Sequence, residues 1–386
     1  MEPFMRICVE KTAFFKILTH QQSLINKRST TVPVLSHVLI KAHYSDQGDP
    51  IVSVHGTDME MSLWEKEIIK PFESPGASVV CAHLLCEIVR KIDDQWVTLE
   101  SFENHITIQG GAAEFHLPTL PVAEFPFMET QDLPFELLIH PGVLADVIKD
   151  TSFCVATEET RYALAGICFH FREDTQHQLS CNVVATDGHR LALSRLTDIR
   201  MNQSAAISGT ASLLVIGRRT VQSMLRLLES DSGETVSFRF SANQVSIQGE
   251  KFQFFSRLLI DRFPDYIGAI PKNHLFRVQF DPKELMKTLD RVSMVIEERT
   301  RSVKLAFCKT GLTVSAHSSQ GSAKEVIKIS YDGEDFSLVF NARYLSEICQ
   351  HARGNIMTIE GTKNQNPVLF QENNRDALYV LMPISA

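Results

Sequence analysis

The sequence predicts an α+β fold made of three copies of one domain, each with two helices packed on antiparallel sheets. An apolar strand running straight into an amphipathic helix recurs at residues 6–26 (RICVEKTAFFKILTHQQSLIN), 135–154 (FELLIHPGVLADVIKDTSFC) and 276–296 (FRVQFDPKELMKTLDRVSMVI). A second strand-to-helix unit follows inside each copy, at 78–92 (SVVCAHLLCEIVRKI), 212–229 (SLLVIGRRTVQSMLRLLE) and 336–352 (FSLVFNARYLSEICQHA). Residues 96–120 and 235–259 then alternate apolar with polar, the period-2 pattern of half-buried strands. The copies start about 130 to 140 residues apart, too long for a solenoid unit and right for a whole domain.

Taken in order, the helical pattern runs over 11–28, 82–92, 141–153, 218–229, 282–298 and 341–353. The first two copies close alike, in PVAEFP (Pro121 to Pro126) and DRFPDYIGAIP (Asp261 to Pro271). Proline removes a backbone donor and disfavours helix before it, so both segments read as extended linkers. The resulting domains are 1–130, 131–271 and 272–386, the last ending in YVLMPISA.

At 386 residues and 44% hydrophobic content there is material for several cores, and no apolar run is long enough to span a bilayer. The opening MEPFMRICVEK has no apolar stretch followed by a small-residue cleavage site, so the expectation is a cytoplasmic protein without a membrane partner. The eight cysteines, at 8, 81, 86, 154, 168, 181, 308 and 349, show no C-x-x-C and no ligand spacing, and read as buried thiols of a reducing compartment. No metal and no cofactor is expected.

Net charge is −8, which at face value argues against a nucleic-acid partner. Its distribution argues otherwise. The six helical segments carry +4, +1, −1, +2, −1 and +1, together +6, which leaves −14 for strands and loops. The first segment has Lys11, Lys16, Lys27 and Arg28 and no acid; Arg90 lies in the second, and Arg218, Arg219 and Arg226 in the fourth. Solvated helix faces carry charge in any protein, and that reading stands beside a second one. If helices line one surface, they offer phosphates a mildly basic face while acidic sheets repel nucleic acid elsewhere, giving weak contact that does not read sequence.

The strongest short motif is ATDGHRLAL, residues 185–193. Asp187 and His189 beside Arg190 suggest an acid/base pair, but a D-G turn between apolar strands is a hairpin first. The first copy has VHGTDMEMSL at the equivalent place, keeping Thr57 and Asp58 with no His or Arg after them, so the Thr-Asp pair reads as a scaffold turn.

ATDGHRLAL, RFPDY from Arg262, EFP from Glu124, GTDMEM from Gly56 and the terminal YVLMP together resemble the bacterial sliding clamps, the β subunits of replicative DNA polymerase, over essentially the whole chain from Met5. The resemblance implies a non-enzymatic processivity factor. It implies a head-to-tail homodimeric ring of six similar DNA-clamp domains, with helices lining the hole and sheets outside. Size agrees: twelve helices about 10 Å across, side by side in a circle, leave about 28 Å clear, whereas six leave about 9 Å. A duplex about 20 Å wide passes only the larger hole.

The resemblance also implies site residues. The peptide-binding pocket comprises Leu164, Thr186, Gly188, His189, Arg190, Leu191, Pro264, Asn341, Tyr344, Val380, Leu381, Met382 and Pro383. The subunit contact places Phe115 and Leu117 against Met294 and Val295, residues that otherwise read as core of their own domains. Tyr162 joins the basic residues facing DNA. Implied partners are double-stranded DNA, a second copy, the polymerase catalytic subunit, a clamp loader and other clamp-motif proteins. Gly268 and Ala269 stand where members of the family often have Arg and Val; Ser29 stands for an Arg, and Ala163 follows Tyr162. Two readings of other classes stay open: a hydrolase built on Asp187 and His189, and a β-rich assembly scaffold that does not bind DNA.

Overall fold

The computed structural model describes residues 4–25, 32–72, 74–129, 132–158, 161–173, 179–197, 199–201, 212–296, 301–362, 366–373 and 375–384. Six α-helices occur among them: α1 (Lys11–Leu24), α2 (Ala82–Lys91), α3 (Pro141–Ser152), α4 (Arg218–Ser230), α5 (Pro282–Val292) and α6 (Ala342–His351). Each follows a strand at once or after one residue, so the strand's last side chain can cap the helix. Glu10 accepts from the Ala13 N–H at 3.1 Å, Asp281 from Lys283 at 2.8 Å, and Asn341 from Arg343 at 3.0 Å and Tyr344 at 3.3 Å.

Two helices are shorter than their sequence pattern. α1 stops at Leu24 because Ile25 is already extended. α5 stops at Val292, tightens into a 3₁₀ turn over Ser293–Val295, and leaves Met294 77% exposed. With no core beneath Met294, the apolar period has nothing to pack on. As observed, the six helices together still carry +5 against −8 for the chain.

The chain divides into two compact units that cut across the repeats. The first holds Met1–Gly142, Ile199–Ala206 and Arg219–Leu258. Its 13-stranded sheet runs Met5–Glu10, Trp96–Ser101, His105–Gly110, Ala113–Leu120, Gly76–Cys81, His37–Tyr44, Pro50–Thr57, Met61–Ile68, Phe252–Arg257, Gln244–Gln248, Val236–Phe240, Phe135–Ile139, Arg200–Met201. α1 lays Phe14, Ile17, Leu18, Gln21 and Leu24 into the core and packs beside α2. The strand Ala113–Leu120 pairs along 113–118 with His105–Gly110, while on its other side only Thr119 and Leu120 find partners, so its edge over 113–118 is open among the described residues.

The second unit holds Val143–Asp198, Ile207–Arg218 and Leu259–Ala386. Its 8-stranded sheet runs Leu213–Gly217, Gly166–Glu173, Leu179–Thr186, Arg190–Leu196, Ala377–Leu381, Val368–Gln371, Met357–Gly361, Phe276–Phe280. A 4-stranded sheet runs Gly321–Ile327, Gly311–Ser318, Ser302–Cys308, Phe336–Asn341, with Gly321–Ile327 at its edge. A charged cluster fixes α3 to loops of the third repeat: Arg353 bonds Asp146 (2.6 Å) and Asp150 (3.3 Å), and Arg375 bonds Asp150 and Glu372 (3.2 Å).

Each unit contains one joint between repeats, built in the same way. In the first, Met61–Ile68 pairs antiparallel with Phe252–Arg257; in the second, Arg190–Leu196 pairs with Ala377–Leu381. The proline-rich segments are packed and not simply extended. Val122–Glu124 and Ile267–Ala269 are 3₁₀ turns, and Phe125, Phe263 and Tyr266 are buried to 3%, 4% and 4% exposure. Their aromatic side chains had apolar surface to cover, and burial outweighs an extended path. No described helix is long and apolar enough to cross a membrane. The cysteines are thiols, five buried, with Cys8, Cys81 and Cys308 half-buried where full burial was expected.

Candidate protein-binding slot and basic helix faces

The Thr-Asp turn is the same object in both joints. Thr186 Oγ1 donates to the Arg190 carbonyl (2.6 Å) and accepts from Gly188 N–H (3.1 Å); Asp187 Oδ1 accepts from His189 and Arg190 N–H, both at 3.0 Å. In the first repeat Thr57 bonds the Met61 carbonyl (2.9 Å) and Met59 N–H (3.0 Å), and Asp58 Oδ1 accepts from Glu60 (3.0 Å) and Met61 (2.7 Å). The third residue is left-handed in both, at φ +88 for Gly188 and +71 for Met59, a conformation that costs Met59 about 1 kcal/mol or more and Gly188 little. Asp187 therefore spends one oxygen on the turn and the other on Arg190, and no hydrogen bond between it and the His189 ring occurs; the acid/base dyad is not assembled.

Arg190 is the hub of the site and not part of an open rim. Its side chain is 6% exposed. Nε meets Asp187 Oδ2 at 3.0 Å, Nη1 meets Glu347 Oε2 on α6, and Nη2 donates to the Phe153 carbonyl at 2.8 Å. The guanidinium also lies 4.3 Å from the centre of the Tyr344 ring. Burial opposes the charge on Glu347, but hydrogen bonds from Arg343 and Arg190 outweigh it and hold the carboxyl below its usual range. Burial pushes the Tyr344 hydroxyl up, with Asp187 adding to it.

On the other face of the sheet from the Arg190 side chain, one residue further along the strand, lies an apolar cluster that contains Leu191 and Val380, with Leu164 half-buried against it. Sequence reasoning missed Val184, Leu193, Phe263, Tyr266, Ile267 and Leu378 in the same cluster. Strand alternation back from Val380 would have found Leu378. Tyr266 is pinned by hydrogen bonds to His170 (2.8 Å) and Asn182 (3.1 Å), which seats the RFPDY segment and leaves Pro264 exposed at the margin. His189 and Gly188 are exposed, and the His189 ring stacks toward Tyr344 at 6.3 Å. Met382, 41% exposed, donates its N–H to the His189 carbonyl (3.0 Å), and half-buried Pro383 follows it.

Three expected slot residues have other employment. Leu381 is fully enclosed at 0% exposure, because it alternates with Val380 and faces the opposite side of the sheet; it cannot line an open slot. The amide oxygen of Asn341 is the cap of α6, and the Thr186 hydroxyl is consumed by the turn.

Among the residues expected to face DNA, Lys27 and Arg28 lie outside the described residues, as does Ser29. Half-buried Lys11 donates to the Ile92 carbonyl just past α2, whereas Arg219 reaches Asp58 (3.1 Å) and the Leu24 carbonyl (3.0 Å) with its side chain still 55% exposed. Lys16 is exposed although it reaches the Ser230 carbonyl (3.1 Å), and Arg90 is exposed beside Glu87. Arg218 and Arg226 are exposed and eight residues apart, hence on one stripe of α4, and Tyr162 is 68% exposed. For the expected subunit contact, Phe115 is half-buried and Leu117 buried on the open-edged strand, and Val295 is half-buried next to exposed Met294.

Sequence signatures of the DNA polymerase III beta subunit match this chain three times: the N-terminal domain over residues 5–129, the central domain over 138–265 and the C-terminal domain over 268–385. The beta sliding clamp of Caulobacter vibrioides is 33% identical over 386 residues, covering 98% of this chain and all of the relative; that of Pseudomonas aeruginosa is 26% identical over 383. Among solved structures, a C. crescentus beta sliding clamp bound to polyethylene glycol superposes with a TM-score of 0.88 at 33% identity, over 99% of both chains. A Bartonella birtlesii clamp bound to griselimycin gives 0.89 at 31% identity, over 99% of this chain and 100% of that one. The chain belongs to the DNA polymerase III beta subunit family, the beta sliding clamps, which are non-catalytic processivity subunits built of three repeated domains.

Proposed function

We propose that two copies of this chain close head to tail into a ring around duplex DNA, slide on it without reading sequence, and tether partner proteins through the slot beside Arg190. The domains of the ring are 1–130, 131–271 and 272–386, helices inward, in the cytoplasm. The partners are the polymerase catalytic subunit, a clamp loader that opens the ring, and other proteins carrying a short clamp motif. Tethering raises the effective concentration of polymerase at the template and needs no reacting group.

The observation that carries the slot is the apolar cluster of Leu164, Leu191, Leu378 and Val380 beside exposed His189 and Met382. Aliphatic floor and polar margin suit a peptide with two apolar anchors, each contributing roughly 1.5–3 kcal/mol, for an affinity near micromolar once association costs are met. The ring is supported by the open edges 113–118 and 321–327, which pairing between copies would fill, and by the surplus of basic residues on helices. Deleting residues 382–386 tests the slot. Binding of a polymerase-derived motif peptide should be lost while dimer and thermal unfolding stay nearly unchanged; unaltered peptide affinity, or loss only through global unfolding, would defeat the assignment.

A further inference from the structure

The two joints match position for position, and the proposed slot occupies only the one in the second unit. In the first unit Leu39 pairs with His55 and Val79; in the second Cys168 pairs with Val184 and Val215. Continuing across the strands, His55 faces Trp64 and Trp64 faces Gln253, where the slot has Val184, Leu193 and Leu378. Phe125 packs over Leu39 and Val79 as Phe263 packs in the slot's cluster. The aliphatic floor has thus become an aromatic one. His55 stacks on Trp64 at 4.2 Å, and Phe127, 56% exposed, lies 5.4 Å from His55 and 6.4 Å from Trp64.

The neighbouring row is basic. Lys41 pairs with Ser53 and Ser53 with Lys66, both lysines exposed; the Lys66 N–H bonds the carbonyl of Lys251, whose ammonium is paired with Glu67 at 2.8 Å and adds no net charge. A cavity of about 230 Å³ opens there between Trp64, Lys66, Gln248 and Gln253; its carboxylates are exposed Glu250 and buried Glu65, the latter engaged by His20 and Gln21. We propose that this face of the first unit is a second docking surface, for an acidic peptide segment whose aromatic or branched side chain packs on Phe127 and the edge of Trp64 while its carboxylates meet Lys41 and Lys66. Charge selects an acidic occupant, and the amides of Gln248 and Gln253 suit a peptide backbone. One face of Trp64 is already covered by His55, which disfavours a stacked nucleobase. The choice of a peptide rests on reading the equivalent joint as a peptide slot.

The probe is the acetylated peptide Asp-Glu-Leu-Bpa-Asp-Asp, where Bpa is the photoreactive p-benzoylphenylalanine, crosslinked to the full-length protein and mapped by mass spectrometry. Labelling is expected within residues 64–66 or 125–128, and the triple variant Lys41→Glu, Lys66→Glu, Phe127→Ala should cut it about tenfold while labelling of 378–383 is unchanged. Phe127→Ala alone, at an exposed ring, should cut it severalfold without altering the fold. Labelling confined to 378–383, or first-unit labelling indifferent to the variants, overturns the proposal. So does a single-stranded dT12 that binds this face where the peptide does not. Labelling at Phe127 with none at the slot would uphold this surface and refute the slot.

Discussion

Replacing Arg190 with Met should loosen the slot far more than loss of one surface charge would. The side chain is 6% exposed and holds Asp187, Glu347 and the Phe153 carbonyl at once. Breaking a buried ion pair by removing one partner costs about 3–5 kcal/mol. The lower end applies here, because Asp187 keeps two backbone donors and Glu347, 23% exposed, keeps Arg343 at 2.8 Å. Amide hydrogen exchange at residues 189–191 and 344 should therefore report a local opening free energy lower by about 3 kcal/mol, a rate increase of about a hundredfold. Arg190→Lys keeps the charge without the planar fork and should fall between. A change below about 1 kcal/mol in the Met variant would refute Arg190 as the hub, since that is the scale of an exposed pair.

Burial pulls the His55 imidazole down to about 3, below its ordinary 6.5, so the unfolded chain takes up the proton first. Its contribution is complete above pH 6.5 and lost as pH falls toward 3. The first unit should lose about 2 kcal/mol between pH 7 and 5, and His55→Val, the residue type of the second joint, should remove that dependence; an equal slope in both proteins would contradict the assignment. Replacing Met294 and Val295 with Asp should give folded monomers by sedimentation, and an unchanged dimer would remove them from the interface. Arg218→Glu with Arg226→Glu should weaken DNA contact alike across sequences and lower the slope of log K against log salt by about 2; a sequence-selective loss would contradict phosphate contact.

The repeats and their helices were legible because each strand delivers its helix almost without a loop, and periods of 2 and 3.6 alternate cleanly. Helix ends were not, since Met294 fits the helical period and only the absence of core beneath it ends α5. Resemblance named Leu164, Leu191 and Val380, which fall in one apolar cluster, but could not decide sides of a sheet. Leu381 fails by one residue of alternation, and Leu378 qualifies by the same rule. The burial of Arg190 was not legible because its partner Glu347 lies 157 residues away, a pairing that no local pattern encodes. The basic pattern was legible as charge, but whether a lysine meets solvent or a helix end, as Lys11 does, depends on tertiary contact.

A closed ring holds DNA by topology and not by affinity. The protein, loaded on nicked circular DNA by a clamp loader and passed through a sizing column at high salt, should elute with the circle and leave it once the DNA is cut to a linear form. Equal retention on circular and linear DNA, or loss from both as salt rises, would show ordinary surface binding and contradict a closed ring.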